Sequence, residues 1–286
     1  MKIVLCTALA LTAFATNSIL NKLALQGHTI DAASFTVIRL ISGMGALLIF
    51  SKITQKGKRP IMSQKYGSWS AAIALFIYAL CFSYAYLFLD TGVGALILFG
   101  TVQITMILKG LLTGRKLYIS EWIGVFTAFV GFVYLILPNL STPSLLGFIL
   151  MTIAGVSWAT YTLLGRGSTA PLLDTAQNFL RTLPFTIILM LAALYHASLS
   201  MEGVLLAIAS GALASGAGYT VWYSALRGLS TTRAAVVQLL VPILAAIGGV
   251  IFSHEVISQR LIISSLKVLG GIMVVFLTKH KSQKTP

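Results

Sequence analysis

The sequence consists of long apolar runs of roughly 20 residues, separated by short polar or turn-forming segments. A helix of that length crosses the hydrocarbon core of a bilayer and satisfies its own backbone hydrogen bonds there. Ten such runs are present, near residues 3–25, 30–51, 67–89, 92–113, 119–138, 144–164, 172–196, 203–226, 229–252 and 257–278. The sequence therefore predicts an all-α integral membrane protein with ten transmembrane helices.

The composition excludes a soluble globular fold. Only 9% of the 286 residues are charged and the mean hydropathy is +0.94, whereas soluble domains carry about 25% charged residues. The first run begins after Lys2 and resembles a secretory signal as far as Ala15, but it stays apolar to Leu25. The apolar core of a cleavable signal is shorter. We therefore interpret this run as a retained first span, with a cleaved signal peptide as the alternative.

The lysine and arginine residues collect on one side of the predicted spans. If the N-terminus is cytoplasmic, that side holds Lys2, Lys52, Lys56, Lys58, Arg59, Lys65, Arg115, Lys116, Arg166, Arg227, Arg233, Lys279, Lys281 and Lys284. Cytoplasmic loops carry such an excess, so we expect both termini in the cytoplasm and the chain in a cell membrane, the inner membrane of a bacterium. The net charge of +14 then reflects cytoplasmic loops that face the anionic lipids of the inner leaflet. Nucleic acid is therefore not an expected partner.

The two halves of the chain resemble each other. In both halves an aromatic residue stands eight positions before a cation, and further residues match in the same order. The matched pairs are Phe14 with Trp158, Lys22 with Arg166, Asp31 with Asp174, Arg39 with Arg181, and Gly131 with Gly270. We predict a first five-helix repeat over 1–138, a second over 144–278 and a cytoplasmic tail over 279–286. Because five is odd, the second repeat is inverted in the membrane.

Charged side chains inside the predicted spans are candidates for function, because a charge in the bilayer interior is costly. Arg39 lies in the second span and Arg181 in the seventh. Two interpretations stay open: each guanidinium binds helix carbonyls between the repeats, or it attracts a carboxylate or phosphate. All six acidic residues fall at span ends or in loops. This placement disfavours a proton-coupled carrier of cationic drugs and favours neutral, zwitterionic or anionic substrates.

Amide and aromatic side chains inside the spans form a candidate binding site. Such residues suit a small metabolite, although singly they also lock helices together or lie at the membrane interface. As a set we predict that they line a central cavity: Asn17, Asn21, Arg39, Tyr84, Gln103, Trp158, Tyr161, Arg181, Tyr219, Trp222 and Gln238. No metal-ligand spacing, phosphate loop or nucleophile motif occurs. The sequence therefore predicts no catalytic residue, no metal and no cofactor.

The segment from Gln238 through Pro242 to Glu255 resembles a pattern in which a proline is followed by a glutamate at a helix end. Together with the two repeats, this segment makes the chain similar to the drug/metabolite transporter superfamily, in particular its EamA-like ten-span carriers. The first half departs from the pattern, since Val102 and Gln103 stand where proline is usual and Arg115 where glutamate is usual. The resemblance implies transport of amino acids or other small metabolites, often outward.

We therefore interpret the chain as a secondary active transporter that exports small metabolites, amino acids or related zwitterionic or neutral compounds, by alternating access between the repeats. One alternative is an antiporter of carboxylated or phosphorylated metabolites that uses Arg39 and Arg181 as anion clamps. Others are a membrane enzyme, a lipid-handling protein and a non-transporting membrane protein. The expected partners are a small-molecule substrate, the lipid bilayer and a coupling ion, for a monomer or homodimer.

Overall fold

The apolar runs are helical in the computed structural model, which describes residues 2–55, 66–114, 118–136, 143–166, 168–226, 228–229 and 237–282. The first half contains α1 (Lys2–Gln26), α2 (Ala32–Gln55), α3 (Trp69–Ala85), α4 (Thr91–Leu112) and α5 (Ile119–Ile136). The second half contains α6 (Leu145–Leu164), α7 (Pro171–Arg181), α8 (Leu183–Ala193), α9 (Met201–Ala209), α10 (Gly218–Leu226), α11 (Val241–Ser253) and α12 (Gln259–Ser282). Within these described ranges, β-structure is limited to one isolated antiparallel bridge between Ile30 and Leu199.

These helices account for the ten predicted spans. Six described stretches are long and apolar enough to cross a membrane: Ile3–Gln26, Ala32–Thr54, Thr91–Leu112, Leu145–Leu164, Pro171–Ala193 and Met201–Leu226. Three shorter apolar helices correspond to the third, fifth and ninth predicted spans: Trp69–Ala85, Ile119–Leu135 and Val241–Ser253. Helix α12 covers the tenth. The predicted all-α membrane fold is confirmed.

Two spans of the second half are not continuous α-helices, which the apolar runs did not predict. Helices α7 and α8 are separated at Thr182, because Pro184 lacks the backbone N–H that would continue the helix and is tolerated only in a first turn. Between α9 and α10, residues Ser210–Ala217 form a π-helix. Such wide turns are frequent at functional sites, and this one buries Ser210 and Ser215 inside the bundle.

The packing of the helices repeats about a pseudo-twofold axis. Helix α1 packs against α11 and against the span formed by α9, the π-helix and α10, while its counterpart α6 packs against α4 and α3. Three further pairs, α5 with α12, α4 with α11, and α2 with α7 and α8, each join the same span of the two repeats. The chain is therefore built from two inverted five-helix repeats. The first helix of each repeat, α1 or α6, packs against helices of the other repeat.

The loops gather at two opposite ends of the bundle. At one end, hydrogen bonds join residue 22 with 89, residues 29–31 with 198–200, residue 91 with 255, and residue 135 with 260. At the other end, they join residues 66–68 with residues 174–181. We call these the outer and inner ends, after the orientation predicted from the lysine and arginine distribution. The orientation stays a prediction, and most of the cations behind it lie outside the described residues: Lys56, Lys58, Arg59, Lys65, Arg115, Lys116, Arg227, Arg233 and Lys284.

Candidate functional site

Aromatic side chains from both repeats meet at the centre of the bundle. Phe14 of α1 and Trp158 of α6, which occupy matching positions in the repeats, contact each other edge-on with ring centroids 6.0 Å apart. The Trp158 ring also lies 4.9 Å from that of Tyr78 and 4.8 Å from that of Tyr219. We call eight of the connected rings the aromatic cluster: Phe14, Tyr78, Phe82, Phe99, Trp158, Tyr161, Tyr219 and Trp222. Tyr86 and Phe179 contact the edge of the cluster, at Phe82 and Tyr219. The cluster is therefore shared by the two repeats.

Helix α1 supplies the polar side chains on one side of the cluster. Phe14, Asn17 and Asn21 are three and four residues apart, so they lie on one face of the helix. The Nδ2 group of Asn17 donates to the hydroxyl of Tyr78 at 3.4 Å, and its Oδ1 accepts a hydrogen bond from the Ser210 hydroxyl at 2.6 Å. Asn21, one turn nearer the outer end, donates to a serine hydroxyl of α3. Asn17 thus ties α1 to both α3 and the π-helix.

The guanidinium of Arg39 lies beside the aromatic cluster and is only 1% exposed. Its Nε donates to the hydroxyl of Ser215 at 3.4 Å and its Nη2 to the hydroxyl of Tyr78 at 3.1 Å. Its Cζ is 5.2 Å from the ring centroid of Tyr78 and 5.0 Å from that of Phe82, within the range of a cation–π interaction. The guanidinium therefore binds the hydroxyls of two side chains and the faces of two aromatic rings.

The aromatic cluster encloses a very small cavity. Its volume is about 10 Å³, which is room for about one water molecule. The lining residues are Phe14, Asn17, Ser18, Tyr78, Phe82, Leu98, Phe99, Trp158 and Tyr219. A metabolite is larger than this space, so it fits only if the surrounding helices separate.

At the outer end, Asp31 joins the start of α2 to the loop that follows α8. Its carboxylate accepts hydrogen bonds from the backbone N–H of Ser34 at 2.9 Å and of Ser198 at 3.0 Å. Backbone bonds from Asp31 to Ser198 and from Ser200 to Thr29 flank this contact. Burial alone would raise the pKa of Asp31, but the hydrogen bonds from Ser34 and Ser198 outweigh it and lower the pKa below its usual value.

At the inner end, Asp174 makes the equivalent contact. Its carboxylate accepts a hydrogen bond from the backbone N–H of Gly67 at 2.8 Å. Gly67 has φ +66°, a left-handed conformation that glycine adopts without strain. The Nη1 group of Arg181 donates to the carbonyl oxygen of Tyr66 at 2.6 Å. Asp31 and Asp174 occupy matching positions in the repeats, and each holds a loop of the other repeat, so the two ends are closed in the same way.

The structure divides the predicted site residues between the centre and the periphery. The centre brings together Asn17, Arg39, Trp158, Tyr161, Tyr219 and Trp222. Tyr84 instead lines a separate cavity of about 440 Å³ at the outer end, and Arg181 binds the loop at the inner end. Gln103 is buried in α4, and Gln238 is buried just before α11.

Several residues of the central site were not among the predicted set, including Phe14, Tyr78, Phe82, Phe99, Ser210 and Ser215. Phe14 had a signal in the sequence, since it matches Trp158 in the other repeat. Tyr78 and Phe82 are four residues apart on an apolar helix, a pattern that core residues share. The two serines belong to a segment of small residues that forms a π-helix. The spacing of the apolar residues in this segment does not distinguish a π-helix from an α-helix.

Comparison with known proteins identifies the family. The sequence profile of the EamA-like transporter family matches residues 1–137 and 145–277, one match for each half of the chain. The chain belongs to the EamA-like transporter family. It is thus a multi-pass membrane transporter, and the similarity to the drug/metabolite transporter superfamily that the sequence predicted is confirmed.

Relatives of this EamA-like transporter match it over most of its length. An uncharacterized protein of Pseudomonas aeruginosa is 48% identical over 273 residues, which are 95% of this chain and 93% of that protein. An uncharacterized transporter of Archaeoglobus fulgidus is 28% identical over 79% of this chain and 82% of its own. A crystal structure at 16% identity has a TM-score of 0.66 and covers 98% of this chain and 99% of its own; it shares the fold.

Proposed function

We propose that this EamA-like transporter is a secondary carrier that moves a small metabolite through the aromatic cluster by alternating access. The expected substrates are amino acids or related zwitterionic or neutral compounds, and the expected direction is export. One observation carries the proposal: Phe14 and Trp158, at matching positions of inverted repeats, meet in the middle of a site built from both. Rocking one repeat against the other would expose the same site to either end.

The contacts at the two ends support this mechanism. The bond from Ser198 to Asp31 joins the repeats at the outer end, and the bond from Gly67 to Asp174 joins them at the inner end. Opening one end breaks the contacts of that end, which include Thr91 with Glu255 at the outer end and Tyr66 with Arg181 at the inner end, and can preserve those of the other end.

A second candidate, an antiporter of anionic metabolites, is favoured by one observation. Arg39 is buried beside the aromatic cluster and makes no ion pair with any of the six acidic residues, all of which lie in the described part of the chain. Arg181, the other half of the predicted anion clamp, binds the loop at the inner end. An anion in the central site would therefore contact Arg39 but not Arg181.

Counterflow in proteoliposomes tests the carrier proposal. Liposomes are loaded with one unlabelled compound from a panel of amino acids, organic acids and sugar phosphates, and uptake of the same labelled compound is measured without ATP. We expect accumulation of at least one compound above protein-free liposomes. Trp158→Ala should abolish it, because Trp158 contacts four other rings of the cluster.

The matched control is Tyr84→Phe, which changes an aromatic residue of the outer end and leaves the cluster intact. This variant should exchange the compound as the wild type does. A panel without any exchange would contradict the carrier proposal. Equal exchange by Trp158→Ala and the wild type would contradict the assignment of the site.

We also propose that both termini face the cytoplasm, across the bacterial inner membrane. The lysine and arginine distribution supports this orientation. Fusion of a fluorescent reporter that folds only in the cytoplasm to the C-terminus should give fluorescent cells. Absence of fluorescence at normal membrane expression would contradict the orientation.

A further inference from the structure

We infer that the aromatic cluster recognises its substrate through a carboxylate group, which accepts hydrogen bonds from Nη1 of Arg39 and from the hydroxyl of Tyr219. This inference rests on the proposed function, because it names the chemical group by which the central site binds what it carries. The substrate class is an organic monocarboxylate with an apolar body, which excludes the neutral compounds among the proposed substrates.

Two buried polar atoms beside each other have no hydrogen-bond partner. They are Nη1 of Arg39 and the hydroxyl oxygen of Tyr219, and the two residues are 1% and 2% exposed. Arg39 donates to the hydroxyl of Tyr78 at 3.1 Å, and Tyr78 and Tyr219 line the same small cavity, so the two atoms lie on the same side of the cluster. A hydrogen bond from the guanidinium to the Tyr219 oxygen would still leave one N–H of Nη1 and the O–H of Tyr219 to be paired. Buried donors are nearly always paired in folded proteins. Two donors left over at one place therefore indicate a position for a shared acceptor, which a carboxylate with two oxygens supplies.

The charge of the site favours an anionic acceptor. Arginine is always protonated, and a charge at this depth is normally paired. The hydroxyls of Ser215 and Tyr78 and the rings around Arg39 solvate its guanidinium but leave its positive charge uncompensated. None of the six acidic residues lies in the central site: Asp31, Asp90, Glu121, Asp174, Glu202 and Glu255 stand at helix ends or in loops. A bound carboxylate would neutralise the site.

The surroundings of the two donors define the rest of the substrate. Tyr78, which accepts the bond from Nη2 of Arg39, stacks against Trp158, and Tyr219 lies against Phe14 and Trp158. A ligand that places its carboxylate at Arg39 therefore places its remaining atoms among aromatic rings. Since the described site offers no carboxylate to an ammonium group, an acid without an amino group should bind at least as well as the corresponding amino acid.

Pairs of acids and their amides test the inference directly, because an amide has the shape of the acid without the charge. We would use butyrate, benzoate and 3-phenylpropionate against butyramide, benzamide and 3-phenylpropionamide. Binding to the detergent-solubilised protein is followed by thermal shift and by the fluorescence of the two tryptophans in the cluster. We expect at least one acid to bind ten-fold or more tightly than its amide. If no acid binds more tightly than its amide, the inference is wrong.

Variants test whether Arg39 and Tyr219 cause the preference for the acid over its amide. Arg39→Gln should reduce the acid-to-amide ratio to about one. Tyr219→Phe removes a hydroxyl that makes no hydrogen bond, so it tests the site even if Arg39→Gln fails to fold, and it should weaken acid binding three- to ten-fold. The matched control is Arg181→Gln, which changes the equivalent arginine of the other repeat and should keep the full acid preference.

Two outcomes separate this inference from the carrier proposal. An acid that binds through Arg39 but is not exchanged by proteoliposomes would support the carboxylate site and contradict transport. Exchange of neutral or cationic compounds alone, with acids excluded, would support transport and overturn the carboxylate site. An acid preference that survives both Arg39→Gln and Tyr219→Phe would also overturn it.

Discussion

Glu255 holds the outer end of the bundle together by capping α4 from another part of the chain. Its two carboxylate oxygens accept hydrogen bonds from the backbone N–H of Thr91 at 2.8 and 3.0 Å, and one of them accepts a third from the Thr91 hydroxyl at 2.7 Å. Asp90, the N-cap residue itself, makes no side-chain capping bond. His254 adopts a left-handed conformation at the end of α11, and this turn directs Glu255 towards α4.

We predict that Glu255→Gln lowers the melting temperature by about 3–6 °C. The amide keeps one acceptor oxygen, so the change removes about one hydrogen bond to a charged acceptor, which contributes about 1.5–3 kcal/mol. For a chain of this size, 1 kcal/mol corresponds to about 2 °C. Thermal unfolding of the purified protein in detergent, followed by fluorescence, measures the shift.

The matched control is Glu202→Gln, which alters another acidic residue at the outer end, in the first turn of α9. Glu202 is exposed, so its replacement should change the melting temperature by about 1 °C or less. Thr91→Val removes the partner hydroxyl, and its effect should not add to that of Glu255→Gln. Equal shifts for the two glutamate variants would refute the capping role.

Two further predictions concern stability. Asp31→Asn should lower the melting temperature at neutral pH, and the difference from wild type should shrink as the pH falls below about 3.9. The folded-state pKa of Asp31 is lowered, so the carboxylate stabilises the fold above its unfolded pKa, and this stabilisation is lost as the pH falls through the folded value. Melts at pH 3 to 7 measure the difference. Gly211→Ala should destabilise by about 1–3 kcal/mol, because its Cβ would overlap the Arg39 carbonyl and the Ser42 hydroxyl, whereas Gly45→Ala, with open space at its Cβ, should be neutral or stabilising in the same melts.

The fold was predictable from the sequence because its determinants are local. The length of an apolar run is set by the bilayer, and the repeat is visible as matched residues such as Phe14 and Trp158. The break before Pro184 and the π-helix at Ser210–Ala217 were not predicted. Neither feature changes the hydropathy of its span, so the length of an apolar run cannot predict a break or a π-helix within it.

The site was predictable only in part because it depends on how the spans pack. Arg39 and Trp158 were identified as buried polar or aromatic residues, and the structure places them together at the centre. Arg181 matches Arg39 in the repeat, yet its guanidinium reaches the loop at the inner end. Tyr84 lies at the outer end although it belongs to the same helix as Tyr78. Matching positions in two repeats fix the helix and depth, but neighbouring loops decide what each side chain contacts.

The central claim is that one site opens alternately to the two ends. In a variant in which Cys6 and Cys81 are replaced, a single reporter cysteine at Ser18 lines the central cavity. Ile30 and Leu199 face each other in an antiparallel bridge at the outer end, and such directly opposed residues are close enough for a disulfide after both are changed to cysteine.

The decisive measurement is labelling of this reporter by a membrane-impermeant thiol reagent, added to one side or the other of oriented vesicles. Alternating access predicts labelling from both sides, restriction to the inner side once the 30–199 pair is oxidised, and recovery of outer labelling on reduction. Labelling from the outer side that continues unchanged with the disulfide fully formed, or labelling that occurs from one side only in the unlocked protein, would contradict alternating access.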